Sequence, residues 1–276
     1  MTVRTSPDVD RMRADVLAAE AARAARVEEA RRRDGGLVCH SCGGTDLVFE
    51  GSFPAGADQR RVHRCESCGL SQLDRRFSAG EVSALEDENV AYQEAAPDVE
   101  AWVAAHSFIV DFVEGYVPRG RMLEVGCSRG YKLEAARRAG WAVQGIELSE
   151  ASCRFARERL SLPVYNGPLE SFRADAPFDA VVAWHVLEHV PSVLGFLSLL
   201  RAFTRPGGHL FLQMPSYDRY RRLEPWSSHP ECFNQVHFWY FTVESLVRVA
   251  SQAGFRPVYT LDDPRTLHLT VVAERT

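Results

Sequence analysis

Met122-Leu123-Glu124-Val125-Gly126-Cys127-Ser128-Arg129-Gly130, followed by Gly145-Ile146-Glu147-Leu148, decides the fold. An apolar run feeding a glycine turn that opens a helix brings backbone N–H groups close to a ligand, and an acid ending the next strand can hold ribose hydroxyls. A dinucleotide-binding turn needs Gly-x-Gly-x-x-Gly so that backbone can touch a pyrophosphate. Gly126 and Gly130 do not form that pattern.

Two later stretches extend the reading. Phe178-Asp179-Ala180-Val181-Val182-Ala183-Trp184-His185 reads as a buried strand running into a site, continuing through Val186-Leu187-Glu188-His189-Val190. Arg205-Pro206-Gly207-Gly208 then reads as a turn before a strand from His209 to Leu212. Taken together with the first motif, these segments resemble the class I S-adenosylmethionine-dependent methyltransferases over about residues 98–276. The family pattern is acid-x-Gly-x-Gly-x-Gly; Glu124, Gly126 and Gly130 match it, and Ser128 replaces the middle glycine.

The resemblance implies an α/β, doubly wound Rossmann-like sheet of seven strands with the last antiparallel, and S-adenosylmethionine as cofactor. It also implies roles. Glu124 orients the amino end of the methionine tail, and Gly126, Cys127, Ser128 and Gly130 form the bend on which that tail rests. Glu147 takes the ribose and Leu148 one adenine face, while Trp184 and His185 face the donor or the acceptor. Many relatives carry an acid after the third strand to meet the adenine amine. Here Asn166-Gly167-Pro168-Leu169-Glu170 offers Pro168 instead, leaving Leu169 backbone or Glu170 for that contact.

Alternating apolar segments support the same architecture, with helices on both faces of a parallel sheet and the ligand beyond the strands' carboxyl ends. Strands are expected near 121–127, 142–148, 163–166, 179–185 and 209–214, and an amphipathic helix from Asp98 to Val117. Leu267 to Ala273 reads as the antiparallel last strand, paired with Phe255 to Leu261.

The chain has 276 residues and a formal net charge of −5, enough length for a sizeable core and no basic excess to suggest a dominant nucleic-acid or anionic-membrane role. The first residues lack the apolar core of a signal peptide, and no apolar run approaches a membrane span, so a cytoplasmic location is expected. Of seven cysteines, Cys39-x-x-Cys42 and Cys65-x-x-Cys68 have the spacing of a tetrahedral zinc site. Four thiolates leave no open coordination position, which makes the expected Zn2+ structural. His40 and His63 are nearby spare ligands expected in solvent.

These signals divide the chain into an N-terminal helix (1–36), a zinc ribbon (37–73), a linker (74–97) and a methyltransferase domain (98–276). The first helix, rich in Ala, Arg and Glu, reads as exposed. An aromatic and polar insertion at about 215–242, containing Trp226, His229, Cys232, His237 and Trp239, is placed to cover an acceptor. His185, His229 and His237 are the candidates for a catalytic base. His185-Val186-Leu187-Glu188-His189 also resembles the acid-x-x-acid-His cluster of ubiquinone-type O-methyltransferases, which can hold a divalent metal. With His185 in the first acid's place, a hydrogen-bonded helix start without metal is the favoured reading.

Methyl transfer to a small-molecule acceptor of specialised-metabolite or sugar type, with an oxygen, nitrogen or carbon nucleophile, leads. An RNA acceptor read by Arg60, Arg61, Arg64, Arg75 and Arg76 is the alternative, and a non-catalytic S-adenosylmethionine-binding scaffold the third. The oligomeric state is not legible.

Overall fold

The computed structural model describes residues 6–34, 36–55, 58–74, 98–225, 228–233 and 236–276. Nearly all of the expected linker, with Arg75 and Arg76, lies outside the described residues, as does Trp226.

Strands β4 (Arg121–Val125), β5 (Ala142–Glu147), β6 (Val164–Asn166), β7 (Phe178–Trp184) and β8 (Thr204–Pro215) run parallel, and the sheet is completed by β10 (Phe255–Asp262) and β11 (His268–Arg275). Its order is β10-β11-β8-β7-β4-β5-β6. The last strand, β11, is antiparallel and lies between β8 and β10, so the edge is β10. Strand β7 is almost wholly buried because helices cover both faces, which explains its unbroken apolar run.

Two expectations are refined. The segment 98–117 forms two helices, α2 (Val99–Ala105) and α3 (Phe108–Glu114), with Asp98 capping the first. They break at His106-Ser107, where the Ser107 hydroxyl donates back to the Ala104 carbonyl in place of a helical continuation. Strand β8 starts at Thr204, but its register against β7 jumps from Phe178↔Thr204 to Ala180↔His209. The Pro-Gly-Gly stretch is thus looped out within the strand.

Helices α4 (Tyr131–Arg138), α5 (Glu150–Leu160), α6 (Val193–Phe203) and α8 (Val243–Gln252) follow the alternation, with a single turn α7 (Tyr217–Tyr220) after β8. The N-terminal helix α1 (Pro7–Asp34) is not free in solvent as expected. It buries Val9, Val27 and Ala30, and Arg23 hydrogen-bonds Ser192 at the start of α6 and the Ser41 carbonyl in the cysteine-rich module. Arg13 donates to the Glu170 carbonyl at 2.7 Å. Much of this docking is made by arginines, so hydrophobic periodicity carries little trace of it.

The cysteine-rich module contributes the hairpin β1 (Leu47–Ala55) and β2 (Asp58–Cys65), then β3 (Ser71–Leu73). Its sheet is extended by β9 (Trp239–Tyr240), which comes from the insertion and pairs antiparallel with β3 through Ser71↔Tyr240 and Gln72↔Trp239. Phe53 packs against Phe233, and Phe233 against Tyr240, with ring centroids 5.7 and 5.6 Å apart. The module is therefore fastened to the insertion by backbone pairing and by an aromatic seam.

Candidate active site

The turn after β4 needs its glycines. Gly126 has φ +71° and a Cβ there would stand 2.4 Å from Val186 Cγ2; Gly130 has φ +82° and a Cβ would stand 2.5 Å from Leu162 Cδ1. Ser128, in the place of the middle glycine, also takes a left-handed conformation at φ +49°. A hydrogen bond stabilises it there: the Ser128 N–H donates to Glu147 Oε2 at 2.8 Å. The other carboxylate oxygen accepts from Leu148 N–H and Ser149 N–H at 2.8 and 2.9 Å. Glu147 thus ties the end of β5 to the turn after β4, with carboxylate lone pairs remaining for further donors.

Leu148 stands 37 % exposed past the strand end, a flat apolar surface beside Glu147. Leu169 is buried, and its carbonyl accepts from Phe172 N–H, so its side chain belongs to the core. Glu170 is exposed. The Cys127 side chain is buried against Gly145 with its Sγ 3.8 Å from the Ser128 carbonyl, and burial pushes its thiol well above the ordinary range. Glu124 is buried at the base of the turn with Lys132 Nζ 3.1 Å from its Oε1. Burial pushes the Glu124 carboxyl up, and the Lys132 cation opposes that. Lys132, which the sequence did not single out, also lies 5.8 Å from the centre of the Trp184 ring.

At the end of β7, Trp184 stacks on Phe108, the first residue of α3, with ring centroids 5.7 Å apart. His185 has φ +55° and its N–H donates to the Gln213 carbonyl at 2.8 Å. Its side chain is 42 % exposed, with Nδ1 3.4 Å from Glu188 Oε1. His268, another residue missed from the sequence, comes within 4.7 Å ring to ring because β11 runs beside β8.

Three groups converge beneath His185, but not the sequence-adjacent trio. Ligand atoms of Glu188, His189 and His237 lie within 4.8 Å of one another, and His185 is outside the group. His189 Nδ1 lies 3.0 Å from the Val236 carbonyl and His237 Nδ1 2.9 Å from the Cys232 carbonyl, contacts that protonated Nδ1 atoms make as donors. Phe238 N–H donates to the Glu188 carbonyl at 2.8 Å and Trp239 Nε1 to the Val190 carbonyl at 2.8 Å. The insertion is thereby stitched to residues 188–190. His229 lies apart from this stitching, its ring 5.8 Å from Tyr220.

The titration of this cluster has a consequence for stability. Burial pushes the His237 pKa from 6.5 to about 3, with His189 adding to the shift, and burial lowers His189 too. Burial alone would raise Glu188, but its contact with His185 and the neighbouring imidazoles hold it down to about 2. A histidine with a lowered folded pKa contributes stability that is complete above its unfolded pKa and is lost as pH falls toward the folded value. Between about pH 6.5 and 5, His237 alone is expected to cost the fold about 2 kcal/mol. Urea midpoints over this range check it: His237→Asn, which keeps a donor for the Cys232 carbonyl and cannot charge, should flatten the slope. An unchanged slope contradicts the assignment.

The cysteine cluster has metal-ligand geometry. Cys39, Cys42, Cys65 and Cys68 Sγ atoms lie within 4.8 Å of one another, with Cys39–Cys68 and Cys42–Cys65 at 3.6 Å. A tetrahedron with Zn–S bonds of about 2.3 Å has edges of about 3.8 Å. Two matching knuckles present the thiols: Gly43 N–H donates to the Cys39 carbonyl and Gly69 N–H to the Cys65 carbonyl, both glycines at positive φ. Hydrogen bonds with Cys42 and Cys68, and burial, push the Cys39 thiol up, so full ionisation of the set calls for a cation. His40 is buried, contrary to the solvated placement expected; its N–H donates to Gln72 Oε1 at 2.7 Å, while His63 packs on Phe49.

Of the arginines of the alternative reading, Arg75 and Arg76 lie outside the described residues, and two of the others are engaged within the fold. Arg60 is buried and Arg64 pairs with Glu50 and Glu66.

Comparison with known proteins agrees with this architecture. Ubiquinone biosynthesis O-methyltransferases are similar over part of the chain: that of Xanthomonas campestris pv. campestris is 34 % identical over 112 residues, 37 % of this chain and 47 % of the relative. One from Methylocella silvestris is 36 % identical over 106 residues, 35 % of this chain and 41 % of the relative. The match thus spans less than half the length of these curated relatives. Among solved structures, the 1,6-didemethyltoxoflavin-N1-methyltransferase of Burkholderia thailandensis superposes with a TM-score of 0.55 at 18 % identity, over 82 % of this chain and all of the other. The glycopeptide N-methyltransferase MtfA gives 0.50 at 17 %, over 62 % of this chain and 94 % of the other. No helix among the described residues is long and apolar enough to cross a membrane. The family model described as a methyltransferase domain matches residues 98–260, more than half of the chain, and this chain belongs to that family, in the fold of the class I S-adenosylmethionine-dependent methyltransferases.

Proposed function

We propose that the chain is an S-adenosylmethionine-dependent methyltransferase acting on a small molecule whose nucleophile carries a weakly acidic O–H or N–H. One observation carries the choice of acceptor: a 42 %-exposed His185 at the carboxyl end of β7, with the buried carboxylate of Glu188 3.4 Å from its Nδ1. In that tautomer Nδ1–H faces Glu188 and Nε2 is the proton acceptor for the nucleophile. Glu188 steadies the imidazolium formed as the proton arrives.

The donor supplies a methyl already activated by its sulfonium, so the protein mainly orients and keeps water out. Glu147 and the 126–130 turn hold the nucleoside and methionine ends, Leu148 lies against adenine, and Trp184 walls the space beside His185. We assign His237 to positioning, because it is buried and committed to the Cys232 carbonyl. His229, within the insertion, is assigned second place as proton acceptor, after His185. The names of the relatives, an O-methyltransferase of ubiquinone biosynthesis and an N1-methyltransferase of 1,6-didemethyltoxoflavin, support an O–H or N–H nucleophile. The pairing of Arg64 and burial of Arg60 weigh against RNA.

The cysteine module is proposed to hold one structural Zn2+ through Cys39, Cys42, Cys65 and Cys68, in a reducing cytoplasm that keeps those thiols available. Its role is to brace the insertion through β3 and β9.

His185→Ala tests the reading. With a hydroxy-aromatic acceptor panel and labelled donor, kcat should fall by about 10²–10⁴ while S-adenosylhomocysteine affinity, measured by calorimetry, stays within about threefold. Full activity in the variant would remove His185 from the reaction and return the assignment to His229.

A further inference from the structure

The acid of the first motif is already paired. Lys132, in the first turn of α4, extends back under the 126–130 bend to put Nζ 3.1 Å from Glu124 Oε1; the two side chains are 19 % and 3 % exposed. The same Nζ lies 5.8 Å from the centre of the Trp184 ring, so the cation sits between the motif's acid and the strand end that carries His185. The neighbouring basic residue of the turn, Arg129, is turned the other way and lies over Phe155 at 5.0 Å.

A buried carboxylate beside an ammonium is the charge-reversed image of an amino-acid zwitterion. Such a ligand end carries one ammonium, which suits Glu124, and one carboxylate, which Glu124 would repel. We infer that Lys132 is the residue that recognises the α-carboxylate of the donor's methionine tail, so that Glu124 and Lys132 together read both charges of that end. The inference rests on the donor assignment proposed above. Free protein keeps the pair closed on itself, each charge offsetting part of the other's desolvation. Donor binding exchanges that one ion pair for two, Glu124 with the ligand ammonium and Lys132 with the ligand carboxylate, and the two charges of that ligand end cancel. The sequence alone gave Lys132 no role, because a lysine in the second position of a helix reads as an ordinary exposed residue.

The test separates carboxylate recognition from structural support. Calorimetry compares S-adenosylhomocysteine with S-adenosyl-3-thiopropylamine, its decarboxylated form, and with 5′-methylthioadenosine, which lacks the whole tail. Wild type should prefer S-adenosylhomocysteine over the amine by at least ~30-fold. Lys132→Met should lose most of that preference by weakening S-adenosylhomocysteine alone, with the amine unchanged or tighter and methylthioadenosine unchanged. Lys132→Gln serves as a second uncharged variant should the methionine variant fold poorly, and Lys132→Arg should restore part of the preference. Equal weakening of all three ligands, or an undiminished preference in both uncharged variants, overturns the assignment of Lys132 alone. A stable wild-type protein that binds none of the three overturns the donor reading, and this inference with it.

Discussion

Glu147→Ala is expected to weaken S-adenosylhomocysteine binding by at least ~100-fold, the largest effect of any single change at the donor crevice. Two charge-assisted hydrogen bonds to ribose hydroxyls are each worth about 1.5–3 kcal/mol, which compounds to two or more orders of magnitude. A second contribution comes from the protein. The carboxylate accepts from Ser128, Leu148 and Ser149 N–H groups, and its removal leaves three main-chain donors to find water. One of them belongs to Ser128, whose left-handed conformation is held by that bond, so the bend itself should loosen. Glu147→Gln separates the two contributions. Its one oxygen can still accept from Ser128 or from Leu148 and Ser149, but its NH2 then faces main-chain donors instead of accepting from them. Thermal unfolding should find the Gln variant between wild type and Ala in stability, and calorimetry should find it nearly as poor a binder as Ala. Retention of wild-type affinity in a folded Glu147→Ala protein would mean that the ligand lies elsewhere, and the donor assignment would fail.

What made this crevice legible in the sequence is that its parts are local. A strand, a glycine bend and a helix within residues 121–138, then an acid at the end of the next strand, are fixed by neighbours in the chain. Positive φ at Gly126 and Gly130 follows from a bend that has no room for a Cβ. The cysteine knuckles were legible for the same reason, since Cys-x-x-Cys-Gly encodes one turn and the thiols it presents. Roles that depend on packing were not. Lys132 and His268 acquire theirs only when α4 is laid against β4 and when β11 is inserted beside β8. Strand β9 has two residues, too few for any periodicity, and it pairs with a strand more than 160 positions earlier. Helix α1 reads as exposed because arginine contacts, rather than an apolar stripe, supply much of its docking. The His185-Glu188-His189 stretch was only partly legible: His185 does meet Glu188, at 3.4 Å, but the histidine that joins Glu188 and His189 within ligand distance is His237, which comes from the insertion.

That insertion makes metal removal the second large effect. Cys39→Ser or Cys65→Ser is expected to abolish zinc retention and to lower methyl transfer by at least ~100-fold while leaving S-adenosylhomocysteine affinity within about threefold. The reasoning runs through the sheet. Metal coordination in small modules supplies roughly 10–16 kcal/mol of apparent binding free energy, and a hairpin with one short third strand has little core to replace it. Loss of the proposed metal would free β3, and β3 pairs with β9 through Ser71↔Tyr240 and Gln72↔Trp239. From β9 the disturbance is short-ranged: Trp239 Nε1 and Phe238 N–H are bonded to the carbonyls of Val190 and Glu188, and Glu188 stands behind His185. The donor turn is built instead from β4, β5 and their helices, which share no ladder with the cysteine module. Metal analysis, donor calorimetry and turnover on the same preparations resolve the three claims. Zinc lost with turnover intact would reduce the module to an appendage, and donor affinity lost in parallel would mean that the whole fold, rather than the acceptor side, depends on the metal.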